Sequence, residues 1–136
     1  MKKYEILEHI SDLKIKVFGR NKKELFLNAL LAMESSLRPE IEKGKKKVKK
    51  KIKINSEDPS SLLIDFLSEV NYLNETLKEV YHKIKFNKFS EKEIDGILEG
   101  ERISRFGLQI KGITWHDFKI SQKKDGTLEA EILFDI

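Results

Sequence analysis

The amino-acid sequence predicts an α+β fold, a two-layer sandwich in which two amphipathic helices pack on a mostly antiparallel β-sheet. Two segments carry apolar residues at helical spacing, and roughly seven others alternate apolar and polar residues as strands do. The chain has 136 residues, of which 39% are hydrophobic, so it can bury a core. We therefore expect a single domain over residues 1–136.

Both helices have start signals. Asn21 is a candidate N-cap with Glu24 in the capping-box position, and the apolar spacing that follows predicts a helix to about Leu37. The second helix is expected to begin after the cap residue Asp58, with a proline in its first turn, and to end near Glu79.

Strands are predicted where apolar residues recur at every second position. A Lys-Lys-Asp-Gly sequence before the last of them is a hairpin turn signal. The predicted strands cover residues 4–8, 13–18, a stretch from about 48 to 54, and residues 80–88, 93–102, 107–115 and 127–135.

Composition excludes several classes of function. The chain contains no cysteine, which rules out disulfides, thiolate metal sites and thiol catalysis. The N-terminal residues lack the apolar run of a secretory signal, and no stretch approaches the roughly 20 apolar residues needed to cross a bilayer. We expect a soluble cytoplasmic protein without membrane contact.

The positive charge is concentrated in one segment. Residues Lys43 to Lys53 include eight lysines and no acidic residue, and without them 19 basic residues face 23 acidic ones. This tract could bind phosphates, or it could form the solvated face of an edge strand, where lysines discourage aggregation. The candidate nucleic-acid contacts are Lys45, Lys46, Lys47, Lys49, Lys50 and Lys51.

Two segments could supply ligands or catalytic groups. His9 and Asp12 lie in the first connection between strands, where they could bind a cation, act in acid–base chemistry or satisfy turn backbone. At the other end, the Asp135 carboxylate is adjacent to the α-carboxylate of Ile136. Such neighbours repel unless a lysine, an arginine or a hard divalent cation lies between them, or unless both are in water.

A third segment, residues 110–116, reads as a buried strand. Lys111 in this apolar stretch either faces a functional groove or extends to solvent from an edge. Trp115 and His116 could form a stacking platform for a base, or they could be a core aromatic and a hydrogen-bonded histidine. The sequence contains no Gly-rich phosphate loop, deaminase motif, zinc-protease motif or nucleophile elbow.

Taken together, these segments resemble the archease family. The resemblance rests on residues 4–12 (YEILEHISD), the helical LLIDFLSE, Gly100-Glu101, residues 110–116 (IKGITWH) and the closing ILFDI, which occur in the family's order over nearly the whole chain. It implies a two-layer sheet-and-helix fold and a non-enzymatic role. Archeases assist the RtcB-type RNA ligase in tRNA splicing and repair by promoting its guanylylation and multiple turnover.

The resemblance also implies a site. The family's metal pocket would place Asp12, Asp135 and the terminal carboxylate of Ile136 around a divalent cation, calcium or magnesium. Lys111 matches a lysine important for ligase activation, and His9 and Glu101 match other motif positions.

One segment departs from the family pattern. The loop at residues 102–107 is shorter than usual and lacks the family's acidic residue, which would remove a ligand if that residue binds the metal. Arg102 or Arg105 could then replace the cation's charge.

Three functions follow from these observations. The leading hypothesis is an accessory protein for an RNA ligase. The alternative is an RNA-binding or chaperone-like modulator of tRNA processing that acts through the basic strand Lys43–Lys53. A small metal-dependent hydrolase using Asp12 and Asp135, with His9 as general base, ranks last because no catalytic motif surrounds these residues.

Overall fold

The computed structural model describes residues 1–8, 12–43, 46–115 and 120–136. Its helices are α1 (Lys22–Ser36) and α2 (Pro59–Leu77). The strands, in chain order, are β1 (Tyr4–Glu8), β2 (Asp12–Gly19), β3 (Pro39–Ile41), β4 (Lys47–Asn55), β5 (Glu79–Phe89), β6 (Glu93–Phe106), β7 (Gly112–Trp115), β8 (Ser121–Gln122) and β9 (Leu128–Asp135).

The predicted α+β class is confirmed, but the described strands form two antiparallel sheets and not one. The first sheet has the order β1-β2-β9-β7, with β8 also pairing with β9. In the second sheet, β6 lies between β4 and β5, and β3 pairs with the C-terminal end of β6. The alternation of apolar residues identifies a strand but not its partner, so it could not divide the strands between two sheets.

The helix starts follow the predicted capping chemistry. Asn21 Oδ1 accepts a hydrogen bond from the Glu24 backbone N–H at 2.9 Å, and the Glu24 side chain accepts one from the Arg20 backbone N–H at 3.1 Å. Asp58 Oδ1 accepts from Ser61 N–H at 2.7 Å. Lys78, in the left-handed conformation at φ 55°, ends α2 without a glycine.

Helix α1 is more buried than the predicted amphipathic pattern requires. It contacts β2 of the first sheet and β5 of the second, so it lies between the sheets. Its apolar residues are joined in the interior by the polar side chains of Asn28, Glu34 and Ser36. Asn28 donates to the Phe18 carbonyl and Ser36 to the Ala32 carbonyl, which satisfies these two groups.

Four strands differ from expectation. Strand β6 runs to Phe106, so most of the segment 102–107 that was expected to be a loop is part of the strand. The strand predicted over residues 107–115 begins only at Gly112, because the N–H groups of Gly107 and Leu108 donate to the Leu37 carbonyl at the end of α1. Strands β3 and β8 were not predicted, since segments of three and two residues are too short to show alternation.

Glu34 is a buried carboxyl group inside this core. Its Oε1 accepts hydrogen bonds from Asn74 Nδ2 at 2.8 Å and from the Tyr81 backbone N–H at 2.9 Å, while Oε2 has no hydrogen-bond partner. Burial raises the pKa of Glu34 from 4.5 to about 8, against the lowering effect of the two hydrogen bonds. The folded protein therefore holds Glu34 protonated at neutral pH.

This raised pKa predicts a pH-dependent stability. The folded state binds the Glu34 proton more tightly than the unfolded chain, so the contribution is fully present below pH 4.5 and is lost as the pH rises towards 8. We expect Glu34→Gln, which keeps the acceptor and removes the charge, to raise the free energy of unfolding near pH 8 by a few kcal/mol and to change it little at pH 5. Denaturant titrations across this range measure the difference.

The matched control is Glu57→Gln on the exposed connection before α2. It should leave the pH dependence as it is in the natural sequence. If Glu34→Gln retained the full loss of stability between pH 5 and 8, another group would be responsible for it.

Candidate functional site

The two ends of the chain meet in the first sheet. Strand β2 pairs antiparallel with β9, and the register places Asp12 directly opposite Asp135. The neighbouring pair, Leu13 and Phe134, faces the core, so the two aspartates share the opposite face of the sheet. Directly opposed side chains have Cβ atoms roughly 5 Å apart, so the two carboxylates are neighbours.

The terminal residue is part of the same region. Ile136 is half-buried and follows Asp135 directly. It lines a cavity of about 230 Å³ together with Asp12. The other lining residues are Ile6, Leu13, Ser35, Ser36, Arg38 and Leu108.

The aspartate pair is not neutralised by the described side chains. Further along the same face, Lys14 and Lys16 pair with Glu131 and Glu129 at 3.6 and 3.2 Å. Neither Asp12 nor Asp135 has a side-chain ion pair or hydrogen bond within residues 1–8, 12–43, 46–115 and 120–136. Like charges directly opposite each other destabilise a sheet, although Asp135 is exposed and water screens part of the repulsion.

The donor set fits a hard cation. Carboxylate oxygens are the ligands that calcium and magnesium prefer. Within the described residues, no group of three or more His, Cys, Asp or Glu side chains could hold a metal ion. The α-carboxylate of Ile136 would therefore be needed as a third protein donor beside Asp12 and Asp135, and water would complete the coordination.

Arg38 is a site residue that the sequence analysis missed. It lines the cavity with Asp12 and Ile136, in the left-handed conformation (φ 49°) that turns the chain from α1 into β3. The expectation that Arg102 or Arg105 supplies the positive charge is wrong for this cavity, since neither lines it. Arg105 instead pairs with Glu40 across β3 and β6, because the register places them opposite each other.

The backbone of Lys111 is hydrogen-bonded to the end of β9. Its N–H donates to the Asp135 carbonyl at 2.7 Å, and the residue itself is exposed. It lines a groove beside α2 and does not line the cavity that contains Asp12. A shift of Asp135 at the end of β9 would therefore also move the backbone of Lys111.

The remaining sequence-predicted residues are not gathered at this cavity. Glu101 lies on β6 of the second sheet, opposite Lys47, and lines a different cavity with Lys49 and His82. Beside it, a Cβ on Gly100 would lie 1.8 Å from the Val80 carbonyl oxygen, so the close approach of β5 requires glycine there. His9 and His116 lie outside the described residues.

The basic tract forms an exposed face of an edge strand. Lys47, Lys49 and Lys51 are exposed on β4, while Ile52 and Ile54 are buried on the opposite parity. Lys46 is exposed just before the strand, Lys50 is half-buried on the inner parity, and Lys45 lies outside the described residues.

The opposing strand carries acids. Lys47, Lys49 and Lys53 stand across from Glu101, Glu99 and Asp95 of β6, and Lys49 Nζ lies 3.5 Å from Glu99. Cross-strand pairs of opposite charge stabilise the sheet. They also reduce the potential that a phosphate would meet, so the solvated-face interpretation describes this geometry better than a phosphate groove does.

The fold and the site together define a small α+β protein with two opposed aspartates in its first sheet. The comparison with family models makes the assignment specific: the Archease protein family (MTH1598/TM1083) matches residues 4–136. The chain therefore belongs to the archease family, as its motifs indicate. No helix in the described part of the chain is long and apolar enough to span a membrane.

Relatives match along nearly their full length. The chain is similar to protein archease of Methanosarcina acetivorans, with 34% identity over 99% of this chain and 97% of the relative. Protein archease of Pyrococcus furiosus is 32% identical, with 100% of both chains covered. The similarity therefore extends over nearly all of this chain.

Solved structures agree with the fold. The solution structure of protein 1598 from Methanobacterium thermoautotrophicum matches with a TM-score of 0.75 at 27% identity and covers 100% of both chains. The crystal structure of a Thermotoga maritima protein, described as an archease and possible chaperone, has a TM-score of 0.64 at 20% identity and covers 96% of this chain and 94% of that one. At that identity, the second likeness concerns the fold alone.

The opposed aspartates predict a cation-dependent stability. Calcium or magnesium should raise the melting temperature by several degrees, because a ligand bound only by the folded state stabilises it. Asp135→Asn should remove this gain and, in the presence of a chelator, should not be less stable than the natural sequence, since it relieves the repulsion with Asp12. Calorimetry with and without the cation measures both effects.

Two further variants locate the cation. A chain extended beyond Ile136 should also lose the gain, because its α-carboxylate is displaced. Glu57→Gln, an exposed acid before α2, should keep it. A gain of the same size in Asp135→Asn would place the cation elsewhere.

Proposed function

We propose that this protein is a non-enzymatic accessory protein that promotes guanylylation and multiple turnover of an RtcB-type RNA ligase in cytoplasmic tRNA splicing and RNA repair. The observation that supports the proposal is the register that places Asp12 opposite Asp135, together with the cavity that Asp12 lines with Ile136. Membership of the archease family supports an accessory role in general.

The cation would act as a structural clamp in this function. Bound between Asp12, Asp135 and the terminal carboxylate, it would hold the end of β9 against the start of β2. Because Lys111 donates its N–H to the Asp135 carbonyl, the clamp would also position Lys111, whose exposed side chain is free to contact the ligase. The protein would thus present a cationic group at a defined place and leave the chemistry to the ligase.

The proposal predicts separate effects for two variants in a ligase turnover assay. Lys111→Ala should abolish most of the stimulation while leaving the cation-dependent melting temperature unchanged, because only the Lys111 backbone touches the tail. Asp135→Asn should lose both properties. Lys124→Ala, on the exposed turn before β9, is the matched control and should stimulate normally.

A ligase whose turnover stays constant over a concentration series of this protein would contradict the proposal. A guanylylation assay on the ligase alone and on the mixture distinguishes a faster activation step from faster product release.

The second candidate function is direct RNA binding by the basic face of the second sheet. Its supporting observation is that lysines occupy both edge strands on that face: Lys47, Lys49 and Lys51 on β4, and Lys83 and Lys85 on β5. A backbone-tracking site of this kind should lose affinity steeply as salt rises. The acids of β6 between the two rows limit the strength of such binding.

This candidate predicts that neutralising Lys46, Lys47, Lys49, Lys50 and Lys51 weakens RNA binding and flattens its salt dependence. Fluorescence anisotropy with a short single-stranded RNA at several salt concentrations measures both quantities. An unchanged affinity for RNA in this variant would show that the basic strand is not the contact. If the variant binds RNA weakly but still stimulates the ligase, stimulation does not depend on RNA binding by this strand.

A further inference from the structure

Strand β4 is a long, regular edge of the second sheet. It pairs with β6 on one side, and no other strand in the described part of the chain pairs with it. Its nine residues contain no proline or glycine, and its register with β6 has no bulge. Strand β5, the opposite edge, is interrupted by two register shifts, one between Tyr81 and Lys83 and one between Phe86 and Lys88. Because a regular edge is a template for a further strand, β4 is the edge of this sheet that can accept one.

The hydrogen bonds to β6 determine which backbone groups of β4 point away from it. Arg102 N–H donates to the Lys46 carbonyl at 2.9 Å, and Ser56 N–H donates to the Lys92 carbonyl at 2.8 Å, one bond just beyond each end of the ladder. Bonded and non-bonded pairs alternate in an antiparallel ladder, so the even-numbered residues of β4 bond to β6. The odd-numbered residues direct their N–H and C=O groups to the open edge: Lys47, Lys49, Lys51, Lys53 and Asn55.

The same odd-numbered positions carry the positive charge of the edge. Their side chains are exposed on the outer face of the sheet, and four of the five are lysines. On the β6 side, the lysines stand across from a row that is mostly acidic: Glu101, Glu99, Ile97 and Asp95. Cross-strand pairs of opposite charge stabilise a sheet. Strand β6 therefore shows the composition that suits a neighbour of β4, with acids at alternate positions directly opposite the lysines.

We propose that the open edge of β4 binds an extended acidic segment of a partner protein by strand addition. The segment would run antiparallel to β4, with an acidic residue directly opposite each lysine. The N–H and C=O groups of those acidic residues would bond to the backbone of the lysines, because each such pair is a bonded pair of the ladder. Backbone pairing would supply affinity, and the alternation of charge would determine the register.

Charge and hydrogen bonding disfavour other occupants of this edge. A second copy of β4 would place lysines opposite lysines, which destabilises a strand pair. A neutral strand would gain the backbone bonds but no charge pairs. A ribose–phosphate backbone has no alternating N–H and C=O groups, so it cannot continue the ladder. Lysines on an edge discourage strand addition in general, but they attract an acidic strand.

This interaction depends on neither the cation nor the ligase, so it goes beyond the proposed function. The β4 edge belongs to the second sheet, whereas Asp12 and Asp135 lie in the first. Substitutions on β4 should therefore leave the cation-dependent melting temperature unchanged, and Asp135→Asn should leave binding at β4 unchanged. The edge shares its lysines with the second candidate function, so the test includes RNA.

The test is an NMR titration of the full ¹⁵N-labelled chain with a capped heptapeptide, Asp-Val-Asp-Val-Asp-Val-Asp, whose aspartates can oppose the lysines of β4. We expect saturable shifts of the backbone amides at residues 47–55. Hydrogen exchange should slow at the odd-numbered amides, because only these gain acceptors on binding. The same peptide with lysine in place of aspartate should not bind.

Two methylated peptides separate strand pairing from simple attraction of charges. N-methylation of the two inner aspartates removes donors that face β4, and it should weaken binding about fivefold or more. N-methylation of two valines is the matched control. Valine N–H groups point away from β4 in the proposed register, so this peptide should bind like the parent peptide.

Two variants of the protein locate the contact. Lys51 and Lys85 stand across from Ile97 on its two sides, and both are exposed. Neither forms an ion pair within the described residues, so both can be exchanged without breaking one. Lys51→Glu should weaken the acidic peptide about fivefold or more, whereas Lys85→Glu, with the same change in net charge, should weaken it by about twofold or less.

Four results would overturn the proposal: no shifts at β4 with the acidic peptide, equal binding of the lysine peptide, equal effects of methylation at aspartate and valine, or equal effects of Lys51→Glu and Lys85→Glu. Shifts of the β4 amides with a short oligouridylate but not with the acidic peptide would also overturn it and would assign the edge to nucleic acid.

Discussion

The pairing of β2 with β9 is the interaction on which the first sheet and the candidate site depend. Strand β1 joins this sheet through β2, and β7 and β8 join it through β9. The pair connects residues near the two chain termini, and such long-range contacts must overcome the entropy of closing a long loop. Asp12 and Asp135 come together only when this pairing has formed, so the candidate site is a product of the completed fold.

Several polar groups in this protein are left without partners, and they are not scattered at random. Lys14 and Lys16 pair with Glu131 and Glu129 on the outer face, but the aspartate pair at the end of the same ladder forms no ion pair among the described residues. In the core, side-chain oxygens of Glu34 on α1 and of Asn71 and Asn74 on α2 are buried without a hydrogen-bond partner among the described residues. Each buried unsatisfied group costs about 1–3 kcal/mol. At the aspartate pair, the proposed cation would offset the repulsion between the two carboxylates.

Much of the secondary structure was predictable because its causes are local. Asn21 and Asp58 cap the helices through hydrogen bonds within four residues of sequence, and the alternation in β4 and β9 places apolar side chains on one face. The division into two sheets was not predictable, since alternation is the same whichever neighbour a strand takes. Helix α1 was expected to have one exposed face, and its burial between the sheets depends on that division.

For the candidate site, too, some features follow from the sequence and others only from the tertiary structure. The sequence by itself determined its chemistry, carboxylates at both ends of the chain and a lysine at position 111, and its motifs identified the archease family before any geometry was known. Only the tertiary structure decided that Asp12 opposes Asp135, that Arg38 and not Arg102 or Arg105 lines the cavity of Asp12 and Ile136, and that the basic tract faces the acids of β6. The physical reason is that residue type and local periodicity are encoded along the chain, whereas proximity between distant residues follows from strand register and sheet packing, which are determined by the whole molecule.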